Sequence, residues 1–288
     1  MSNFIIEDFK NAWNKKDNGL IKIILINVII FIGISIIKVF FQIGELENLY
    51  IKFSNSLMLP ADLKQFIFQP WSIITYFFLH TNFSHILWNM LFLYWFGKII
   101  QDNIGNNAMI SLYVLGGIIG GLLYMAIYNV IPYYGNQVNQ SLMLGASAGV
   151  FSVVVGSATL IPNYTFHLLF IGPIRIKYIA LFYVALSFFD ITGNNAGGEI
   201  AHLGGAFMGY LYIRQLQSGN NMGDPIMKII NFFNKNNFTK TKTKKNKQNN
   251  NEEISQDDID KILDKISDSG YSSLSKTEKE KLFNASKK

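Results

Sequence analysis

Six apolar segments, near residues 20–41, 84–101, 109–131, 146–161, 174–191 and 200–217, set the terms on which this chain can fold. Each approaches the ~20 residues that a helix needs to cross ~30 Å of hydrocarbon. Backbone in hydrocarbon must satisfy its own hydrogen bonds, so helices are the expected form of all six. The fourth and sixth are short and rich in Gly, Ala and Ser, which suits interior helices surrounded by the others. The expectation is an all-α polytopic membrane protein with a six-transmembrane-helix bundle over 20–217. A polar N-terminal segment, 1–19, precedes it. Of the 288 residues 50% are hydrophobic and 15% charged, too apolar for one soluble domain. Cysteine is absent, which excludes disulfides and thiolate metal sites. No small-residue cleavage site precedes the first apolar segment, so that segment reads as a retained helix rather than a signal peptide.

Basic residues orient the bundle. Lys10, Lys15, Lys16 and Lys22 flank the start of the first segment, Lys98 ends the second, and Arg175 and Lys177 open the fifth. The tail after the sixth is strongly basic. The 132–145 loop is uncharged, and the 190–199 loop carries only Asp190 and Glu199. The positive-inside rule then puts both termini in the cytoplasm, as for a multi-pass protein of a bacterial inner (plasma) membrane. In this topology His85, Asn89, Ser147 and His202, from three segments, reach a similar depth near the outer face. The 42–79 loop, with its run of aromatics from Phe66 to Phe78, reads as a short-helical element partly embedded against the outer side.

Polar residues at membrane depth are costly and usually functional. Two short patterns, 55 positions apart, stand out: Gly145-Ala146-Ser147-Ala148-Gly149 and Ala201-His202-Leu203-Gly204-Gly205. A serine beside a histidine is the minimal unit of nucleophilic catalysis. Ser147 stands where a helix begins, so backbone amides and the positive helix end favour an oxyanion there. Read alone, the first pattern is equally a packing stripe of small residues. Gly205 and Gly209 follow His202 at one-turn intervals, and Gly149, Ser152 and Gly156 make a comparable stripe. If the two stripes face each other, Ser147 and His202 come together. His85 and Asn89, four apart, share a helix face and both donate hydrogen bonds. His80 is expected to support the site, and Phe151, one turn after Ser147, to stack on His202. Asp190 and Glu199 are assigned to the outer loop, so ring orientation is expected from packing, and a Ser-His dyad rather than a triad. Zinc on His80, His85 and His202 lacks a well-placed carboxylate and leaves the serine without a role. No metal and no cofactor are expected, and no nucleic-acid partner.

These residues resemble the rhomboid intramembrane serine proteases across roughly 20–217. His80-Thr-Asn-Phe-Ser-His85-Ile-Leu-Trp-Asn89 is similar to the family's second-helix pattern. Gly145-Ala-Ser147 is similar to its Gly-x-Ser motif, and His202 to Gly209 to its His-x-x-Gly-x-x-x-Gly. The resemblance implies Ser147 as nucleophile and His202 as base, with His85, Asn89 and the Ser147 amide holding the oxyanion. Gly145, Ala146, Phe151, His80 and Gly205 would support them. Three departures mark this chain. Ser72 follows Pro70-Trp71 where arginine is common, Ala148 replaces the glycine after the nucleophile, and Phe151 stands where tyrosine is frequent.

After residue 218 the composition changes. Residues 218–254 read as a flexible basic linker, dominated over 234–251 by Lys, Asn, Thr and Gln. Residues 255–288 read as a small cytoplasmic helical hairpin. Ser255 would cap a helix carrying Ile259, Ile262, Leu263 and Ile266, and Gly270 would stop it. Ser275-Lys-Thr-Glu278 would form the capping box of a second helix ending near Leu282-Phe283. The region is similar to a small domain appended to rhomboids in some bacteria.

The reading is an intramembrane serine endopeptidase whose partners are the lipid bilayer and the transmembrane segments of membrane-protein substrates. A substrate segment would enter laterally between the second and fifth helices and unwind near the outer interface. Two alternatives stand beside it: a non-catalytic relative that binds transmembrane helices, and a small transporter, which lacks buried carboxylates and paired repeats. The hairpin's role is open between a cytoplasmic binding partner and simple retention in place.

Overall fold

The computed structural model describes residues 11, 13, 18–168, 172–237, 256–269, 273–275, 277 and 278. Lys10, Lys15, Lys16, Ser255, Gly270 and the end of the second hairpin helix lie outside the described residues. The chain divides into two compact units, Met1–Asn236 and Asn237–Lys288.

Each apolar segment of the first unit contains a helix. They are α1 (Gly19–Ile43), α5 (Phe83–Ile104), α6 (Asn106–Val130), α7 (Ser147–Leu160), α8 (Ile176–Phe189) and α9 (Ala196–Gln217). Between α1 and α5 come three short helices, α2 (Glu47–Leu57), α3 (Leu63–Phe68) and α4 (Ser72–Thr75), then a 3-10 turn at Tyr76–Phe78. The local punctuation follows the sequence. Asn82 caps α5, its Oδ1 accepting from the His85 N–H at 2.9 Å. α6 stops at the residue before Pro132, where the chain turns extended.

By length and composition alone, α1 and α6 are the two described helices long and apolar enough to cross a membrane; α7 and α8 are apolar but shorter. α5 and α9 carry polar residues along their length, among them His85, Asn89, Lys98 and Asp102 in one and Glu199, His202 and Arg214 in the other.

The core centres on α7, which packs against α9, α6, α5 and α8. Most of α7 is buried, including Ser152 and Ser157, while α8 buries only Ile176, Ala180 and Ser187. The close crossing depends on glycine. A Cβ on Gly205 would run into the Ala148 carbonyl, and one on Gly209 into the Ser152 carbonyl. Part of the expected stripe is thereby corrected. Ala148 and Ser152, with Gly156, meet α9, whereas a Cβ on Gly149 would stand 2.7 Å from the Tyr113 carbonyl of α6. Gly149 faces a different neighbour because a residue two positions from Ser147 on a helix points away from it.

Buried polar groups tie the helices together. Asn27 of α1 donates to the Tyr113 hydroxyl at 3.1 Å, and that hydroxyl donates to the Phe77 carbonyl at 2.9 Å. Ser157 of α7 donates to the Phe96 carbonyl of α5 at 2.9 Å. Each satisfies a group that would be costly to leave bare.

Two small sheets complete the unit. β1 (Leu59–Pro60) pairs antiparallel with β2 (Leu142–Met143), in register Leu59 to Met143. This clamps the 42–79 region to the approach to Ser147. Within that region Trp71 donates its indole N–H to the Ser56 carbonyl at 2.8 Å, and Ser72, in the position where the resemblance leads one to expect arginine, is fully buried. β3 (Thr165–Leu168) pairs with β4 (Gly172–Arg175) as a hairpin between α7 and α8, so the fifth helix begins at Ile176 rather than 174.

Two further boundaries differ from expectation. The linker expected over 218–254 holds a helix, α10 (Asp224–Asn237), because Ile226, Ile229, Ile230 and Phe233 recur at helical spacing within its Asn- and Lys-rich surroundings. The sixth helix begins at Ala196, not 200, which takes Glu199 out of the loop. Gly197 permits the early start by lying against the Tyr124 ring, 2.8 Å from where a Cβ would be.

The second unit holds α11 (Gln256–Ser269), which buries Ile262; Leu274 is buried too. The capping box forms as its residues suggest. The Glu278 carboxylate accepts from the Ser275 N–H at 2.7 Å, and the Ser275 hydroxyl accepts from the Glu278 N–H at 3.3 Å. Lys265 adds an ion pair to Glu278 at 2.9 Å. These groups hold the Glu278 carboxyl down at about 2.

Candidate active site

Gly145 shapes the turn into α7. Its φ is +135°, a conformation that L side chains rarely adopt. Its N–H donates to the Tyr76 carbonyl at 3.0 Å, and Ala146 behind it is fully buried. Ser147 is thereby the first residue of α7, at the positive end of the helix. A Cβ on Gly145 would lie 3.1 Å from His85 Nε2 and 3.5 Å from Ser147 Oγ, so the missing side chain is what leaves room between them.

His85 enters from the first turn of α5. Thr81 holds its Nδ1, through the hydroxyl at 3.2 Å and the backbone N–H at 3.5 Å. A backbone N–H only donates, so Nδ1 accepts and the proton sits on Nε2, on the side of Gly145 and Ser147. Asn89, one turn along and 7% exposed, donates to the His85 carbonyl at 3.0 Å. His80 meets the His85 ring edge-on, centroids 5.0 Å apart. Burial, with His85 close by, holds the His80 imidazole down at about 4. It braces His85 and does not line the cavity.

His202 lies nearly two turns into α9. Phe151 stacks on it with centroids 4.2 Å apart and planes 9° apart. The ring orientation does not come from packing alone, which corrects the expectation made of Glu199. With the helix starting at Ala196, Glu199 sits three residues before His202 on the same face, and its Oε2 is 3.1 Å from His202 Nδ1. The Ser187 hydroxyl of α8 lies 3.1 Å from the same nitrogen. Sequence reasoning missed Ser187 and Thr81 as well as Glu199. The Glu-x-x-His spacing was a usable signal for Glu199; nothing local marked Ser187.

Ser147, His202, His85, Asn89, Phe151 and Thr81 border one cavity of about 920 Å³, and Glu199, Ser187 and His80 stand behind them. No hydrogen bond joins Ser147 to His202. His167 lies apart on β3, exposed. Among the described residues no group of three His, Asp or Glu side chains is placed to hold a metal ion. The arrangement offers a hydroxyl at a helix N-terminus, an imidazole base and an imidazole donor around one space, the minimum for acyl transfer.

Residues 242–288 match a family of unknown function (DUF6576). RHOMBOID-like protein 12, mitochondrial, of Arabidopsis thaliana is 29% identical over 158 residues, 51% of this chain and 47% of that protein. Rhomboid-like protein 11, chloroplastic, of the same plant is 27% identical over 211 residues, 69% of this chain and 65% of that protein. Rhomboid-like protease 3 of Toxoplasma gondii is 29% identical over 91 residues, 32% of this chain and 31% of that protein. The chain thus spans less than two thirds of the length of these relatives. The rhomboid domain model matches residues 68–218, which takes in every helix that contributes to the cavity, and on that match the chain belongs to the rhomboid family, whose membership supports an intramembrane protease-type function.

Proposed function

We propose that the protein is an intramembrane serine endopeptidase that cuts transmembrane segments of other membrane proteins. The observation that carries the reading is the single cavity shared by Ser147, His202, His85 and Asn89.

The six helices of the apolar segments are read as the membrane-spanning bundle, with both termini on the cytoplasmic side of a bacterial plasma membrane. Their outward faces support a lipid environment. α1 exposes Ile29, Ile32, Ile36, Val39 and Phe40, and α8 exposes Leu181, Phe182, Phe188 and Phe189. Contiguous apolar surface of that extent marks contact with lipid or protein rather than water.

In the proposed reaction Ser147 Oγ attacks a peptide carbonyl carbon while its proton passes to His202 Nε2. The oxyanion is held by His85 Nε2–H, the Asn89 amide and the Ser147 N–H. The tetrahedral intermediate collapses, the C–N bond breaks, and His202 returns the proton to the leaving amine. Water then attacks the acyl ester, giving its proton to His202, and Ser147 leaves with that proton restored. A helix hides its carbonyls from a nucleophile, so substrates need helix-weakening residues near the cut.

The test is labelling with a fluorescent fluorophosphonate, then cleavage of a transmembrane reporter in liposomes. Wild type labels and cleaves, and Ser147→Ala and His202→Ala do neither. Full cleavage by either variant overturns the mechanism. A folded wild type that neither labels nor cleaves favours the second reading, a helix-binding rhomboid without catalysis.

A further inference from the structure

We propose that Glu199 is a positioning residue for the Ser147–His202 reaction: its carboxylate, with the Ser187 hydroxyl, holds the His202 proton on Nδ1 and stabilises the imidazolium that forms during acyl transfer. The inference rests on the function proposed above and adds a third member to its catalytic unit.

The tautomer argument is geometric. Glu199 Oε2 lies 3.1 Å from His202 Nδ1. An ionised carboxylate only accepts, so the contact requires a proton on Nδ1. The lone pair is then left on Nε2, the nitrogen that must take the serine proton. The Ser187 hydroxyl, 3.1 Å from Nδ1, also reaches the same carboxylate. Glu199 Oε1 accepts from Asn195 Nδ2 at 3.2 Å. Both carboxylate oxygens are therefore occupied.

Burial argues that the contact has a purpose. The Glu199 side chain is 15% exposed and that of His202 14%. A carboxylate this enclosed is costly unless paired. A merely electrostatic role in the first turn of α9, where an acidic side chain suits the helix dipole, would not require Oε2 to be directed at the imidazole. Glu199 itself stays ionised throughout. The proton travels from Ser147 Oγ to His202 Nε2 and on to the leaving amine.

The remaining titratable groups on the wall facing His202 are His85 of α5, Tyr124 and Tyr128 of α6 and Tyr183 of α8. None is a carboxylate, so a change in the acid limb on altering residue 199 is attributable to Glu199.

The experiment measures fluorophosphonate labelling rates of the full chain across pH 5 to 9 for wild type, E199Q, E199D and the Ser147→Ala blank. E199Q is expected to label about 10- to 100-fold more slowly, less than the ~10⁴ loss when the buried carboxylate of a Ser-His-Asp triad becomes an amide, because Ser187 still holds the ring. Its acid limb moves to lower pH, since an imidazole without the anion binds its proton less tightly. E199D, which keeps the charge, recovers most of the rate and the wild-type limb. Equal rates and limbs for wild type and E199Q overturn the inference. A wild type that does not label instead overturns the proposed function. A second readout needs no variant at position 199. Nitrogen NMR of histidine-labelled wild type, with His202 assigned by His202→Ala, is expected to find the neutral ring protonated on Nδ1. Protonation on Nε2 overturns the inference.

Discussion

Phe151 lies flat against His202, its ring centroid 4.2 Å away and its plane within 9° of the imidazole. The contact joins the helix of Ser147 to the helix of His202, and Tyr183 of α8 backs it edge-on at 6.4 Å. Ring pairs of this kind contribute about 0.5–1.5 kcal/mol beyond simple burial. Phe151→Ala is expected to slow labelling of Ser147 about 10-fold or less through looser positioning of the imidazole. Phe151→Tyr keeps the stacked face and stays near wild type. Labelling kinetics on both variants check this, and equal rates for Phe151→Ala and wild type refute it.

Glycine at the α7–α9 crossing sets a second expectation. A methyl on Gly205 meets the Ala148 carbonyl, and backbone at the centre of a bundle has little freedom to withdraw. Gly205→Ala is expected to cost about 1–3 kcal/mol as overpacking. Gly33 of α1 is the internal control, because a Cβ there meets nothing within 4 Å. Gly33→Ala is expected to be neutral or slightly stabilising, as alanine favours the helix. Thermal unfolding in detergent separates the two, and a Gly205→Ala midpoint equal to that of Gly33→Ala contradicts the crossing described here.

Much of this architecture was legible before any coordinates. The helix positions follow from apolar runs, and the close meeting of α7 and α9 follows from the small residues around Ser147 and His202. Phe151 on His202 followed from one-turn spacing alone. What stayed hidden has physical reasons. Gly197 and Gly198 read as loop by propensity, and the Tyr124 ring that Gly197 packs against at the helix start lies 73 positions upstream. Glu199 was assigned to the loop for that reason. The spacing of α10 was masked by the Asn and Lys around it. The β1–β2 pair joins residues some eighty positions apart with two residues a side, and so short a pairing leaves no local periodicity.

The capping box of the second unit has a pH signature. The Ser275 N–H, the Lys265 ammonium and the Ser275 hydroxyl hold the Glu278 carboxyl at about 2, below its ordinary 4.5. A depressed carboxylate contributes stability that is fully present above the unfolded value. That stability is lost as pH falls from about 4.5 towards about 2. The Glu278 side-chain carbon, followed by NMR, is expected to titrate near the lower value in wild type. It moves back towards the upper one in Lys265→Met. A wild-type midpoint at the ordinary value contradicts the observed contacts.

Thr81 and Asn82 divide two jobs at the start of α5. The Thr81 hydroxyl, 3.2 Å from His85 Nδ1, reinforces the tautomer that the Thr81 N–H selects, whereas Asn82 Oδ1, 2.9 Å from the His85 N–H, caps the helix. The two substitutions are therefore expected to separate. Thr81→Val removes the hydroxyl and keeps the backbone N–H, which stands at 3.5 Å and holds Nδ1 only weakly. Some His85 rings then carry their proton on Nδ1 and offer no donor to the oxyanion, so kcat falls about 3- to 10-fold with KM nearly unchanged. Asn82→Ala keeps both Thr81 contacts to Nδ1, losing only the bond from its amide to the Thr81 hydroxyl, and gives up about 1 kcal/mol of helix stability. Reporter cleavage in liposomes and thermal midpoints, measured on both variants, decide the matter. If Thr81→Val lowers the midpoint and spares kcat, Thr81 is part of the cap, and the His85 tautomer is set elsewhere.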